Sequence, residues 1–272
     1  MVLDMIYEFE KFLSGNCCLS KSTLKSYLWT VDYFYKNYGE FSSSSLLAYK
    51  GYLVEHFKPQ TVNLRLQAIN RYLDFAGRAD LKLRLVKLQN KTFIENVISD
   101  ADYRYLKSQL MVDGHADWAF VVWFLGATGA RISELLQIKV EHVVDGHVDL
   151  YGKGGKLRRI YISSTLKREA LEWLSAKGKS SGYIFTNRSG ARLTPRGVAH
   201  QLKFFAVRYG INPEVVYPHS FRHLFAKNFL DRYNDISLLA DLMGHESLET
   251  TRIYLRRTAS EQRAVVDKVI DW

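Results

Sequence analysis

The apolar residues of the first ninety positions recur at the period of an α-helix, and this constrains the fold more than any other feature. Ile6, Phe9 and Leu13, then Leu24, Tyr27, Val31 and Phe34, then Val62, Leu66, Ile69 and Leu73 each mark a stripe along one helix. Such stripes must be buried against one another, and a bundle of about four helices does so. Ser20 and Thr61 are expected helix starts, and Gly39 and Gly77 expected stops. The run FSSSSLL, residues 41 to 47, is expected to cap a helix carrying Leu46, Tyr49 and Leu53.

From residue 81 to 96 the pattern changes to LKLRLVKLQNKTFIEN, which alternates basic and apolar residues at its start and has no helix caps. An edge strand is one reading of it. A basic extended linker fits better, because Ser99-Asp100-Ala101-Asp102 follows with capping-box spacing and opens a new helix. The expected division is a helical domain over residues 1–88, a basic linker over 89–98 and a second domain over 99–272. In the second domain the pattern predicts helices over 101–110 and 117–127 and strands over 147–151 (HVDLY) and 158–162 (RRIYI). The glycine-rich GKGGK between the strands gives the freedom a hairpin needs. Helices follow over 165–176, after Thr194-Pro195 with proline at the first helical position, through HSFRHLFAKNFLDRY and through ISLLADLMG. The expected fold class is mainly α: an N-terminal helical bundle plus a mostly helical C-terminal domain with a small antiparallel β-sheet.

The chain has 38 Lys and Arg against 28 Asp and Glu, a net charge of +10, so its surface attracts polyanions, nucleic acid first among them. The only cysteines, Cys17 and Cys18, are adjacent; a disulfide framework is excluded and a reducing cytoplasm is expected. The opening MVLDMIYEFEKFL breaks its apolar pattern with acidic residues and does not read as a signal peptide. The most apolar run, residues 118 to 130, falls short of the roughly 20 residues a membrane-spanning helix needs and reads as a buried helix.

Against this frame a few side chains stand out chemically. His219 and Arg222, three apart at the start of a helix after Pro218, share one face. His223 completes an i, i+4 histidine pair that could share zinc. Ser220 stands where a zinc protease motif has glutamate, and the cationic Arg222 opposes a divalent ion, so no metal is expected. Arg131, in ATGARISELLQIKV, sits where an apolar helix meets the surface and could simply pair with Glu134. Lys153 lies in the hairpin turn, and Lys156, Arg158 and Arg159 make that hairpin a basic finger able to reach nucleic-acid phosphates. His245 and Tyr254 close the set. Two arginines, two histidines, a lysine and a late tyrosine suit in-line displacement at a phosphodiester. Arginines hold the non-bridging oxygens, histidine moves a proton near neutral pH, lysine protonates the leaving oxygen and the phenol attacks. An unperturbed phenol has a pKa near 10, so it needs cationic neighbours or a base to react.

In their order and approximate spacing, TGARISEL (128 to 135), GKGGKLRR (152 to 159), HSFRH (219 to 223) and GHESLETTRIY (244 to 254) resemble the motifs of the tyrosine recombinase, or phage integrase, family and its compact Xer-like members. The resemblance implies that Arg131 and Arg222 clamp the scissile phosphate and Lys153 is the general acid for the departing 5′ oxygen. It further implies that His219 handles the tyrosine proton, His245 is a further phosphate ligand, and Tyr254 is the nucleophile forming a 3′-phosphotyrosyl bond. That ester conserves the energy of the broken bond, so no cofactor, metal or ATP is implied. Glu134 supports the Arg131 region. Ala130 and Met243 replace common leucines, and Leu255-Arg256 stand where Thr-His is frequent; none removes a reactive group.

The family acts as a homotetramer on double-stranded DNA with paired core sites, through a Holliday junction, giving inversion, excision or integration. A cytoplasmic, nucleoid-associated protein with no membrane partner is therefore expected. Because the chain opens on the bundle, an arm-site domain is not expected. Residues 264 to 270 are expected to form a helix that packs on its own domain or docks into a neighbour. In the bundle, Lys21, Lys25, Arg65 and Arg71 are the DNA-binding candidates, beside Lys156, Arg158 and Arg159 of the finger. The competing readings are type IB topoisomerase-like relaxation of DNA and a catalytically silent DNA-binding regulator.

Overall fold

The computed structural model describes residues 2–16, 19–88, 96–151, 157–245, 248–255, 266–268 and 270. It divides into two compact units, Met1–Asn90 and Lys91–Trp272.

The first unit is built from α1 (Val2–Asn16), α2 (Lys21–Tyr38), α3 (Ser43–His56) and α4 (Pro59–Phe75). Its core is made of the expected stripes: Phe9, Leu13, Val31, Phe34, Leu46, Tyr49, Leu53, Val62, Leu66, Ile69 and Leu73 are buried, while Ile6 and Leu24 are half-buried. Ser20 caps α2 by accepting from the Thr23 amide, and Ser42 and Ser45 form a reciprocal capping box on α3. Thr61 does not start α4. The helix begins two residues earlier, at Pro59, whose fixed φ suits the first helical position and which has no amide to leave unpaired there.

Past a 3-10 turn, Ala79–Leu81, residues 82–88 form neither helix nor strand. They do not hang free. The Asn70 amide accepts from the Leu83 N–H and donates to the Leu83 carbonyl, both at 2.8 Å, and Asn63 does the same for Val86 at 2.8 and 3.0 Å. Two side-chain amides thus stand in for a strand partner and tie this segment to α4.

Most of the expected linker, residues 89–95, lies outside the described residues; Val97 and Ile98, at its far end, pack into the core of the second unit. That unit contains α5 (Asp100–Val112), α6 (Ala116–Thr128), α7 (Ile132–Leu135), α8 (Val140–Asp145), β1 (His147–Tyr151), β2 (Leu157–Tyr161), α9 (Ser164–Ala176), α10 (Pro195–Arg208), α11 (Pro218–Arg232), α12 (Ile236–Met243) and α13 (Leu248–Arg252). A 3-10 turn, Ile253–Leu255, follows. The fold is mainly α, and its one sheet among the described residues pairs β1 with β2 antiparallel, from His147 opposite Tyr161 to Tyr151 opposite Leu157. The second strand lies one residue earlier than expected. Helix α6 buries Phe120, Val121, Val122, Phe124 and Leu125, so it is apolar nearly all round because it is surrounded. Among the described residues no helix is long and apolar enough to cross a membrane. Of the expected C-terminal helix, residues 264, 265 and 269 lie outside the described residues.

Candidate active site

Gly129, in the left-handed region at φ 60°, ends α6 and turns the chain so that Arg131 heads α7. Glu134 caps that short helix, accepting from the Arg131 amide at 2.7 Å and its guanidinium at 2.8 Å. The same carboxylate also binds Arg158 from β2. Burial pushes the Glu134 carboxyl up, but the Arg158 charge and the hydrogen bonds from Arg131 and Arg158 outweigh it and hold the group below its ordinary value.

Helix α11 starts with Pro218 and carries His219, Arg222 and His223 on adjoining positions of one face. Arg222 is only 2% exposed. Its Nη1 donates to the Gly129 carbonyl at 2.6 Å, and its Nη2 donates to the Met243 carbonyl at 2.6 Å and lies 3.0 Å from His245 Nε2. Burial, then the Arg131 and Arg158 charges, lower its pKa to about 10, so it remains a cation at neutral pH.

Gly244, at φ 60°, ends α12 and hands the chain to His245, whose Nδ1 lies 2.8 Å from the hydroxyl of the buried Thr251. The last carbonyls of α12 meet three guanidiniums in succession: Leu242 accepts from Arg158 at 2.9 Å, Met243 from Arg222, and Gly244 from Arg131 at 3.3 Å. A helix leaves its final carbonyls without intrahelical partners and carries partial negative charge there, which three cations offset. The segment that carries His245 is thereby fixed to both arginines of interest.

Tyr254, on the 3-10 turn, packs its ring parallel to His245 with centroids 6.4 Å apart, and its hydroxyl lies 3.1 Å from His223 Nδ1. Burial raises its pKa, while Arg222 and Arg131 act to lower it, and the net shift is upward. The phenol is therefore neutral in this state. His223 and His245 are both lowered to about 4, first by burial and then by neighbouring cationic or imidazole groups. His219, more open to solvent, is lowered by partial burial and then by Arg222 and Arg131.

The structure thus brings Arg131, Arg222, His245 and Tyr254 into one network, with His219 at its edge and its ring 6.3 Å from that of His223. Lys153 and Lys156 lie outside the described residues. Arg158 is a correction: it is 8% exposed and faces inward, because strand alternation puts it on the core side with Ile160, and Glu134 and Leu242 take its hydrogen bonds. Arg159, on the outer side, forms a bidentate pair with Asp149 at 2.7 and 2.6 Å. On the first unit Lys21, Lys25 and Arg71 are exposed, Arg71 lying 3.9 Å from Asp74. Arg65 instead lies over the Trp29 ring at 3.9 Å and donates to Thr30. His223, considered from the sequence only as half of a zinc pair, proves to be a partner of Tyr254; the i, i+4 spacing marks its face but not its contact. A groove of about 850 Å³ lined by Trp118, Lys179, Arg188 and Phe205 holds none of these residues.

Residues 95–261, more than half of the chain, match the model of the phage integrase family. The chain belongs to the phage integrase family. Within this family it is a tyrosine recombinase of the Xer type, and cleavage and rejoining of DNA is the family's reaction. Tyrosine recombinase XerA of Pyrococcus furiosus is 30% identical over 92% of this chain and 88% of its own, and XerA of Pyrococcus horikoshii 29% identical over 97% and 93%. In three dimensions this phage integrase family member shares the fold of the Tn1549 transposon integrase solved with transposon right end DNA, with a TM-score of 0.72 and 15% identity over 97% of this chain and 99% of that one.

Proposed function

We propose that the chain recombines DNA site-specifically, with Tyr254 as the nucleophile. The phenol oxygen attacks the scissile phosphorus, the bond to the 5′ oxygen breaks, and a 3′-phosphotyrosyl ester forms. Arg131 and Arg222 hold the non-bridging oxygens, His245 adds a further contact, His219 takes the phenol proton, and Lys153 gives a proton to the departing 5′ oxygen. Attack by another 5′ hydroxyl reverses these events and joins a new strand. The reading extends to a homotetramer on double-stranded DNA with paired core sites, near the nucleoid. Residues 1–88 serve as the DNA-binding domain, with Lys21, Lys25, Arg65 and Arg71 as candidates, and residues 99–272 as the catalytic domain.

One observation carries the assignment: Tyr254 stands against His245, which is hydrogen-bonded to the buried Arg222, while Arg131 reaches the adjacent Gly244. A buried Arg222 and a half-buried Arg131, placed before the charge develops, stabilise a pentacovalent phosphate without reorganising. The relatives are themselves recombinases, which disfavours both DNA relaxation alone and a silent regulator.

The test is incubation with nicked DNA carrying the cognate core site, followed by denaturing electrophoresis. A covalent protein–DNA adduct is expected, and it is expected to vanish in Tyr254→Phe. An adduct that survives that substitution assigns the nucleophile elsewhere.

A further inference from the structure

The group that touches the Tyr254 hydroxyl is not the histidine expected to serve it. His223 Nδ1 lies 3.1 Å from that oxygen, with the two rings 5.4 Å apart and inclined at 53°. His219, one turn earlier on α11, is in ring contact with His223 at 6.3 Å. His223 is half-buried and anchored by a helix whose neighbouring residues, Phe221, Arg222 and Leu224, are all in the core. Its imidazole is therefore a fixed point. Tyr254 sits on a three-residue turn, where two side-chain torsions decide where the hydroxyl points.

We infer that His223 is a further catalytic residue, the hydrogen-bond partner that aims the Tyr254 oxygen at the phosphorus. This rests on Tyr254 being the nucleophile. Aim matters because an in-line attack tolerates little error, and a misplacement of about 1 Å costs on the order of 100-fold in rate. The work is positional. An imidazole kept neutral down to about pH 4 is a poor resting place for a proton from a phenol whose own pKa is raised, so His223 holds the hydroxyl while the proton leaves by another group.

Three substitutions test this in the full chain. His223→Asn places an amide where Nδ1 stands, His223→Gln places it one carbon further out, and His223→Leu fills the space with no hydrogen bond. Each is assayed for single-turnover adduct formation on nicked core-site DNA, for affinity by gel shift and for thermal unfolding. With Leu and Gln the rate of adduct formation is expected to fall ~10- to 100-fold with DNA affinity unchanged, and Asn is expected to restore it to within a few-fold of the parent. Equal rates in Asn and Gln, or a Leu variant that cleaves as fast as the parent, would overturn the inference. Should Leu fail to fold, the Asn and Gln pair still decides. Tyr254→Phe is run beside them. If it keeps the adduct, the nucleophile assignment fails; if it loses the adduct while the His223 variants cleave alike, only the role of His223 fails.

Discussion

Arg222 illustrates how much of the site is held by the protein's own backbone. Its two terminal nitrogens satisfy the Gly129 and Met243 carbonyls from a position 2% exposed. Arg222→Lys keeps the charge but cannot span both acceptors, because a single ammonium lacks the planar fork. One buried carbonyl left unpaired costs about 1–3 kcal/mol. The expected outcome is a lowered urea midpoint together with loss of the adduct, and an unchanged midpoint would show that the carbonyl contacts contribute nothing. The histidines make a separate prediction about pH. His223 and His245 are lowered to about 4, from about 6.5 in an unfolded chain, so between these values the unfolded state binds more protons. Their contribution is complete above pH 6.5 and is lost as pH falls towards 4. Each fully protonating histidine adds a slope of at most about 1.4 kcal/mol per pH unit, less for His245 because solvent screens it. Urea midpoints from pH 7 to 4 check this, and His223→Asn is expected to flatten the slope. Arg131, Arg222, His245 and Tyr254, which the structure brings into one network, are legible in the sequence because each lies in a motif of fixed spacing. The inward place of Arg158 and the contact of His223 with Tyr254 are not legible in that way, because their partners are 24 and 31 residues away and local pattern carries no record of such contacts.

The end of α12 is the element on which the site depends. Gly244 is in the left-handed region at φ 60°, and a Cβ there would overlap the Arg158 side chain. Gly210 has a similar φ of 69° and open space around it. Gly210→Ala therefore carries only the left-handed cost, about 1–2 kcal/mol. Gly244→Ala adds displacement of Arg158 from Glu134 and Leu242 and is expected to lose more stability, with slower adduct formation as well; equal losses in the two variants would remove Arg158 from the account. Helix ends show which signals are local. Ser20, Ser42, Ser99 and Thr194 each accept from an amide three residues on, so sequence alone places them. The start of α4 was misplaced because Lys58 gives no side-chain cap and proline sets the boundary alone. The strap over residues 82–88 looked like linker because its partners are amides on α4, not a strand. Replacing Asn63 and Asn70 by Leu is expected to destabilise the first unit by about 1–3 kcal/mol per site and to speed hydrogen exchange at the Leu83 and Val86 amides.

At the scale of the whole chain the net charge of +10 draws DNA to the surface, and the contacts made there set how binding responds to salt. Each phosphate neutralised by Lys or Arg releases counterions, and the slope of log affinity against log salt changes by about 0.9 per contact on duplex DNA. The candidates differ in what they can give. Lys21 and Lys25 are exposed and one helical turn apart on α2, so replacing either with Ala removes a charge and little packing. Arg65 is held by Thr30 and the Trp29 ring, and Arg65→Ala is expected to lower the stability of the first unit as well as affinity. Arg158 is a core cation with no surface to offer DNA. Titrating core-site DNA with the full chain across a salt series separates these cases. Lys21→Ala and Lys25→Ala are each expected to reduce the slope by about 0.9 while the unfolding midpoint holds. A double variant with the parent slope would take the DNA contact away from this face of α2. Because both changes lie outside the Tyr254 network, the rate of adduct formation at saturating DNA is expected to match the parent, which distinguishes weakened binding from damaged chemistry.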